Sequence, residues 1–320
     1  MNNVLLYAIT VLIWGSTWFA IEFQLGTVAP EVSIVYRYMA ASLLLFAWSR
    51  YRGLGLAFGL RQHAWFMLLG VLLFGLNYVL AYRAQMHITS ALTAIAFSAI
   101  VWMNIINARL FFGVRAGRRV LFGALLGIAG IFTLFAPQVG EVTLTDSVFY
   151  GLLLAVSGAL VASLGNMASQ AAQRRALPVV QSNAWGMFYG ALFSAAIAAV
   201  EGHPFIFEWT VDYVSSLIYL AVFGSIIAFG AYLTLLGRIG AHKSGYAMVM
   251  FPVVALILST LFEGLQISAT VVVGTLLVLA GNLFVLDARP PRSVQHASPS
   301  AGEWSARGTV PVSAHAKDPT

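Results

Sequence analysis

The chain has 320 residues, of which 60% are hydrophobic and 9% charged, with a formal net charge of +6. A soluble domain carries roughly 45–50% apolar and about 25% charged residues, so a soluble enzyme and a disordered chain are both excluded. The Lys and Arg residues are scattered rather than gathered in one basic stripe, which argues against a nucleic-acid partner. There is no cysteine, hence no disulfide, thiolate metal site or cysteine nucleophile.

A bilayer core about 30 Å thick needs roughly 20 mostly apolar residues per crossing helix. Apolar runs of about that length follow one another along the chain, at 4–21, 31–49, 64–86, 89–111 and 118–136. A second set lies at 148–170, 179–200, 213–236, 242–262 and 270–287. Turn and breaker residues separate them at Gly26–Pro30, Pro137–Gly140 and Gly202–Pro204. The runs are too long and continuous for the alternating strands of a barrel. The fold class read from this is an all-α polytopic membrane protein with ten transmembrane helices. The first run has no basic residues before it and no small-residue cleavage site, so it is read as the first span rather than a signal peptide.

Basic residues set the orientation. Fifteen of the seventeen Lys and Arg fall after helices 2, 4, 6 and 8, at their ends, or in the C-terminal tail. Glu22, Glu31, Glu141, Asp146, Glu201, Glu208, Asp212 and Glu263 occupy the opposite loops, where Lys and Arg are missing. Both termini are therefore expected in the cytoplasm of a cell-membrane protein. Only Arg37 and Arg83 break the pattern. From about residue 288 onward the chain turns polar and rich in Pro and Ser, the composition of a disordered tail.

The two halves match at an offset of about 150 residues. Pro30 falls on Pro178, Phe74–Gly75 on Phe223–Gly224, Gly123 on Gly274 and Gly130 on Gly281. The halves run over 1–136 and 148–287, with an outer loop at 137–147 between them. Five spans is an odd number, so the second half enters the membrane inverted. Inverted repeats are a device of secondary transporters, with substrate held near the midplane between the halves.

The order of several short motifs resembles the EamA-type branch of the drug/metabolite transporter superfamily. They are Trp14-Gly15-Ser16-Thr17-Trp18, then Tyr36-Arg37-Tyr38, Asn77-Tyr78 through Tyr82, and Thr89-Ser90-Ala91. Tyr246, Pro252, Phe262-Glu263-Gly264 and Gly281-Asn282 complete the series. Val101 and Phe112 stand where that family often has a proline and an acidic residue. The resemblance implies two inverted five-helix repeats and export of amino acids or similar metabolites.

Arg37 lies six residues inside the second span, roughly 9 Å below its edge. An intramembrane cation is a functional candidate by default. It either grips an anionic substrate group bidentately or makes a structural pair with Glu22 or backbone carbonyls. Arg83 reads as interfacial snorkelling. The repeat aligns Trp185 with Arg37; Trp14 with Trp18, and Tyr78 with Tyr82, stand four residues apart on helix faces. The candidate substrate site is Trp14, Arg37, Tyr78, Tyr82, Trp102, Trp185 and Tyr246, an aromatic pocket suited to a small organic molecule. Packing or an interfacial belt is the other use of any one ring, and interhelical hydrogen bonding of the buried Asn residues. The stripe Gly123, Gly127, Gly130, Gly274 and Gly281 reads as close helix packing, with a homodimer contact as its second use. Besides substrate and lipid no partner is expected, and no cofactor or metal: the six histidines sit at loops, helix ends or the tail. With no catalytic motif inside the membrane either, the chain is not read as an enzyme; the alternative to a transporter is a membrane-embedded scaffold or channel without active transport, and an intramembrane enzyme comes last.

Overall fold

A computed structural model describes residues 2–113, 117–139, 147–232 and 246–286. The described part of each apolar run is helical: α1 (Asn3–Glu22), α2 (Pro30–Tyr51), α3 (Leu60–Gln85), α4 (Ser90–Phe112) and α5 (Arg118–Val139) in the first half. The second half has α6 (Ser147–Gln173), α7 (Val179–Val200), α8 (Val211–Tyr232), α9 (Tyr246–Phe262) and α10 (Ala269–Leu286). Among the described residues there is no strand. Seven of the helices are long and apolar enough to cross a membrane; the apolar stretches in α5, α9 and α10 are shorter. Exposed Leu43, Leu44, Leu125, Phe132, Leu261 and Leu276 give the bundle an apolar exterior, as lipid demands. The Pro- and Ser-rich segment 288–320 lies outside the described residues, as does most of the outer loop.

The helix starts follow from local chemistry. Pro30 opens α2, where its missing N–H costs nothing. The Thr89 and Thr210 hydroxyls accept the Leu92 and Tyr213 amides and so cap α4 and α8. α4 has a hitch at Ser98–Ala99, just before Val101, so the break forms without a proline. Its repeat mate α9 carries Pro252 inside the helix.

Two segments leave the α-helical register. Gly70–Leu76 in α3 and Tyr219–Ile227 in α8 are π-helical. Residue 70 plus the repeat offset of 149 is 219, so the two segments coincide in the repeat, and each contains the matched Phe-Gly dipeptide. Such π-turns recur at functional sites because they cost regular hydrogen bonding.

Packing follows the same repeat. The principal pairs α5–α10, α2–α7 and α4–α9 are their own mates when helix n is exchanged with helix n+5. The others exchange with one another: α3–α7 with α8–α2, α1–α9 with α6–α4, and α3–α6 with α8–α1. Every one of these contacts joins one half of the chain to the other, so the core is the seam between halves. At α2–α7 the Ser42 hydroxyl donates to the Ala184 carbonyl at 2.9 Å. At α5–α10 the glycine stripe lies within the chain: Gly281 faces the backbone of Gly123 and Gly127, and Gly130 faces Gly274 and Val278.

Candidate functional site

A fully buried cation, Arg37, packs beside the π-helical segment of α8. Arg37 of α2 is 1% exposed. Its Nε donates to Ser225 Oγ at 3.2 Å and its Nη1 to Tyr82 Oη at 3.3 Å. Its Cζ lies 4.7 Å from the centre of the Tyr78 ring and 5.0 Å from that of Tyr38. Ser225 accepts from Arg37 through an oxygen lone pair while its own O–H donates to the Leu220 carbonyl five residues back, at 2.9 Å. Nη2 lies against Gly224, beside Thr17 of α1. Trp14 reaches the same segment: its indole N–H donates to the Gly224 carbonyl at 3.0 Å. Its ring packs edge-on against Phe229 and Phe251.

A guanidinium has five N–H donors, and two of them meet hydroxyls here. Among the described residues no carboxylate pairs with Arg37. The alternative pairing with Glu22 is thus not formed: Glu22 ends α1 and is exposed, and Arg37 takes hydroxyls and ring faces in its place. A buried cation without a counter-ion is unfavourable by several kcal/mol in general. It persists here through two hydrogen bonds and two cation–π contacts, each of the latter worth roughly 0.5–2 kcal/mol.

The structure therefore brings together Trp14, Arg37, Tyr78 and Tyr82, with Tyr38, Gly224 and Ser225 added. Trp102 sits elsewhere, donating to Asn282 Oδ1 at 3.0 Å and covering Gly127 at the α4–α5–α10 junction. Trp185 donates to the Leu56 carbonyl at 3.3 Å and packs with Phe46, His63 and Tyr189. The side chain of Tyr246 lies outside the described residues. Buried amides link helices: Asn107 donates to Ser163 at 2.9 Å and Asn166 to Asn104 at 3.2 Å.

Arg83 makes ion pairs that the snorkelling expectation did not include. Its Nε pairs with Glu31 Oε1 at 2.6 Å and its Nη2 with Glu201 Oε2 at 2.5 Å. The pairs join the end of α3 to the start of α2 and the end of α7. The hydrogen bond from Arg83 holds the Glu201 carboxyl below its ordinary range, despite some opposing desolvation. A depressed carboxyl contributes its stability above the ordinary range and loses it as acid carries the pH down through the lowered value. Glu31 is 1% exposed, so Arg83→Gln strands a buried charge. Breaking a buried pair generally costs 3–5 kcal/mol; with Arg83 one-third exposed, about 2–3 kcal/mol is expected. In thermal melts Arg83→Gln should lose that stability, and adding Glu31→Gln should restore most of it. Equal losses in the single and double variants would show that the pair is not what holds these ends.

The sequence matches known proteins along most of its length. The model of the EamA-like transporter family matches twice, over residues 1–136 and 149–287. The chain is 25% identical over 300 residues to "Uncharacterized transporter YoaV" of Bacillus subtilis, covering 90% of this chain and 99% of that one. It is 28% identical over 260 residues to "Uncharacterized inner membrane transporter YedA" of Escherichia coli, covering 80% and 81%. One crystal structure of a protein superposes with a TM-score of 0.64 at 17% identity, covering 88% of this chain and 95% of that chain; this likeness speaks to fold alone. With a family match in each half, across helices that pack as mates, the chain belongs to the EamA-like transporter family.

Proposed function

We propose that the protein is a secondary transporter that exports amino acids or related small metabolites by alternating access. In this reading all ten helices cross the membrane, as two inverted five-helix repeats with both termini in the cytoplasm. The substrate's acidic group meets Arg37, and its body lies along Trp14, Tyr78 and Tyr82. The observation that carries the reading is the buried Arg37 guanidinium, which has no carboxylate partner among the described residues and is held by groups from both halves. Such a cation is suited to a carboxylate arriving as cargo. The paired π-turns of α3 and α8 supply the two places where the halves can shift. The name of YedA, an inner membrane transporter, supports the same compartment if the cell is bacterial.

A thermal-shift screen on detergent-purified protein tests the substrate class. Some carboxylate-bearing amino acids should raise the melting temperature, and the matching amino acid amides should not. Stabilisation by amides as well as acids would remove Arg37 from recognition. Orientation is tested separately by reporter fusions. Those after Gly26, Gly140 and Ile206 should report outside, and those after Leu54, Ala116 and Gly240 inside. One reversed internal loop would contradict the inverted repeat.

A further inference from the structure

The end of the bundle that carries the Arg83 pairs also holds a histidine that the pairs do not use. Helix α7 closes in a Schellman turn: the His203 amide bonds to the Ala198 carbonyl at 2.8 Å and the Gly202 amide to Ala199 at 3.2 Å. Gly202 has φ +74°, the left-handed geometry that glycine takes without strain. The reversal brings Glu201 and His203 to the same spot, facing Glu31 at the start of α2. His203 Nε2 is then 3.1 Å from Glu201 Oε2 and 3.8 Å from Glu31 Oε2. One ligand atom from each of the three residues fits within a 4.8 Å cluster.

We propose that Glu31, Glu201 and His203 form a binding site for a divalent metal ion of the zinc class, joining α2 to α7. Zinc takes imidazole nitrogen and carboxylate oxygen at about 2.0–2.2 Å, which sets tetrahedral ligand atoms roughly 3.4 Å apart. The two distances from Nε2 bracket that spacing. A second, independent observation is Glu31 Oε2, which is buried and has no hydrogen-bond partner. Arg83 occupies the other oxygen of Glu31, Oε1, and so leaves Oε2 to a metal; on Glu201 it meets Oε2, the oxygen nearest His203, which a metal would share with it. Charge agrees: two carboxylates against one guanidinium leave one negative charge when His203 is neutral. Glu201 and His203 are about one-third exposed, so an ion can enter from solvent. The α2 and α7 helices are repeat mates that pack along the seam. A metal bridging their ends would hold this face shut, and the charge asymmetry assigns this face to the outside.

Calorimetric titration of zinc chloride into the full chain in detergent tests the site, with no substrate or flux needed. It therefore stands or falls apart from the transport reading. Wild-type protein should bind zinc. His203→Ala and Glu201→Gln, both changed beyond the end of the helix, should each weaken binding tenfold or more. A variant with His296→Ala and His315→Ala should bind as wild type does. Zinc should also raise the melting temperature of wild type but not of His203→Ala. Absence of binding to wild type, undiminished binding to His203→Ala, or loss of binding in the tail variant would each overturn the proposal.

Discussion

Arg37→Gln is expected to cut substrate flux by roughly 10- to 100-fold while leaving the melting temperature unchanged or raised. A hydrogen bond to a charged group contributes about 1.5–3 kcal/mol, and 1.4 kcal/mol is about tenfold in affinity. The stability half of the prediction follows from burial. Glutamine removes a desolvated cation that has no carboxylate partner among the described residues, at the loss of the Ser225 and Tyr82 contacts, so the two effects offset. Arg37→Lys keeps the charge but not the planar fork, and should fall between wild type and Arg37→Gln. Flux in proteoliposomes, with a melt on the same preparation, checks both halves. Wild-type flux in a folded Arg37→Gln protein would remove the residue from transport. Unfolding of that variant would make the role structural.

Gly281→Val should produce the largest loss of stability. A Cβ at Gly281 would stand 2.5 Å from the Gly123 carbonyl oxygen and 2.6 Å from the Gly127 nitrogen. Both are backbone atoms and cannot swing aside. Overpacking generally costs 1–3 kcal/mol, and where backbone must part about 3 kcal/mol or more is expected. Gly230→Ala is the control, because a Cβ there meets nothing within 4 Å. Fluorescence-detected size exclusion after heating should show early loss of Gly281→Val and wild-type behaviour for Gly230→Ala. Equal melting of the two would contradict a glycine-mediated α5–α10 contact.

The helices were legible because lipid leaves the sequence one simple pattern, an apolar run closed by Gly, Pro or charge. Part of the candidate site was legible for a similar reason. Arg37 stands out as a charge inside a span, and Tyr78 and Tyr82 share a face by spacing alone. What spacing does not carry is which helix a face meets. Trp102 and Trp185 are the same kind of ring as Trp14, yet they pack against Asn282 and Leu56, far along the chain. Ser225 carries no signal of its own, although the matched Phe74–Gly75 and Phe223–Gly224 pairs mark the segments where both π-turns form. The Arg83 pairs span 52 and 118 residues. No local pattern could join them, and the same holds for the cluster of Glu31, Glu201 and His203 beside them.

Alternating access requires that the Arg37 region be reached from each side of the membrane in turn. The chain has no cysteine, so a single Ser225→Cys is the one thiol present. Its reaction with a small membrane-impermeant methanethiosulfonate can be followed in right-side-out and inside-out vesicles. Labelling is expected from both faces, slowed by substrate. Labelling from one face only, or from neither, would contradict it.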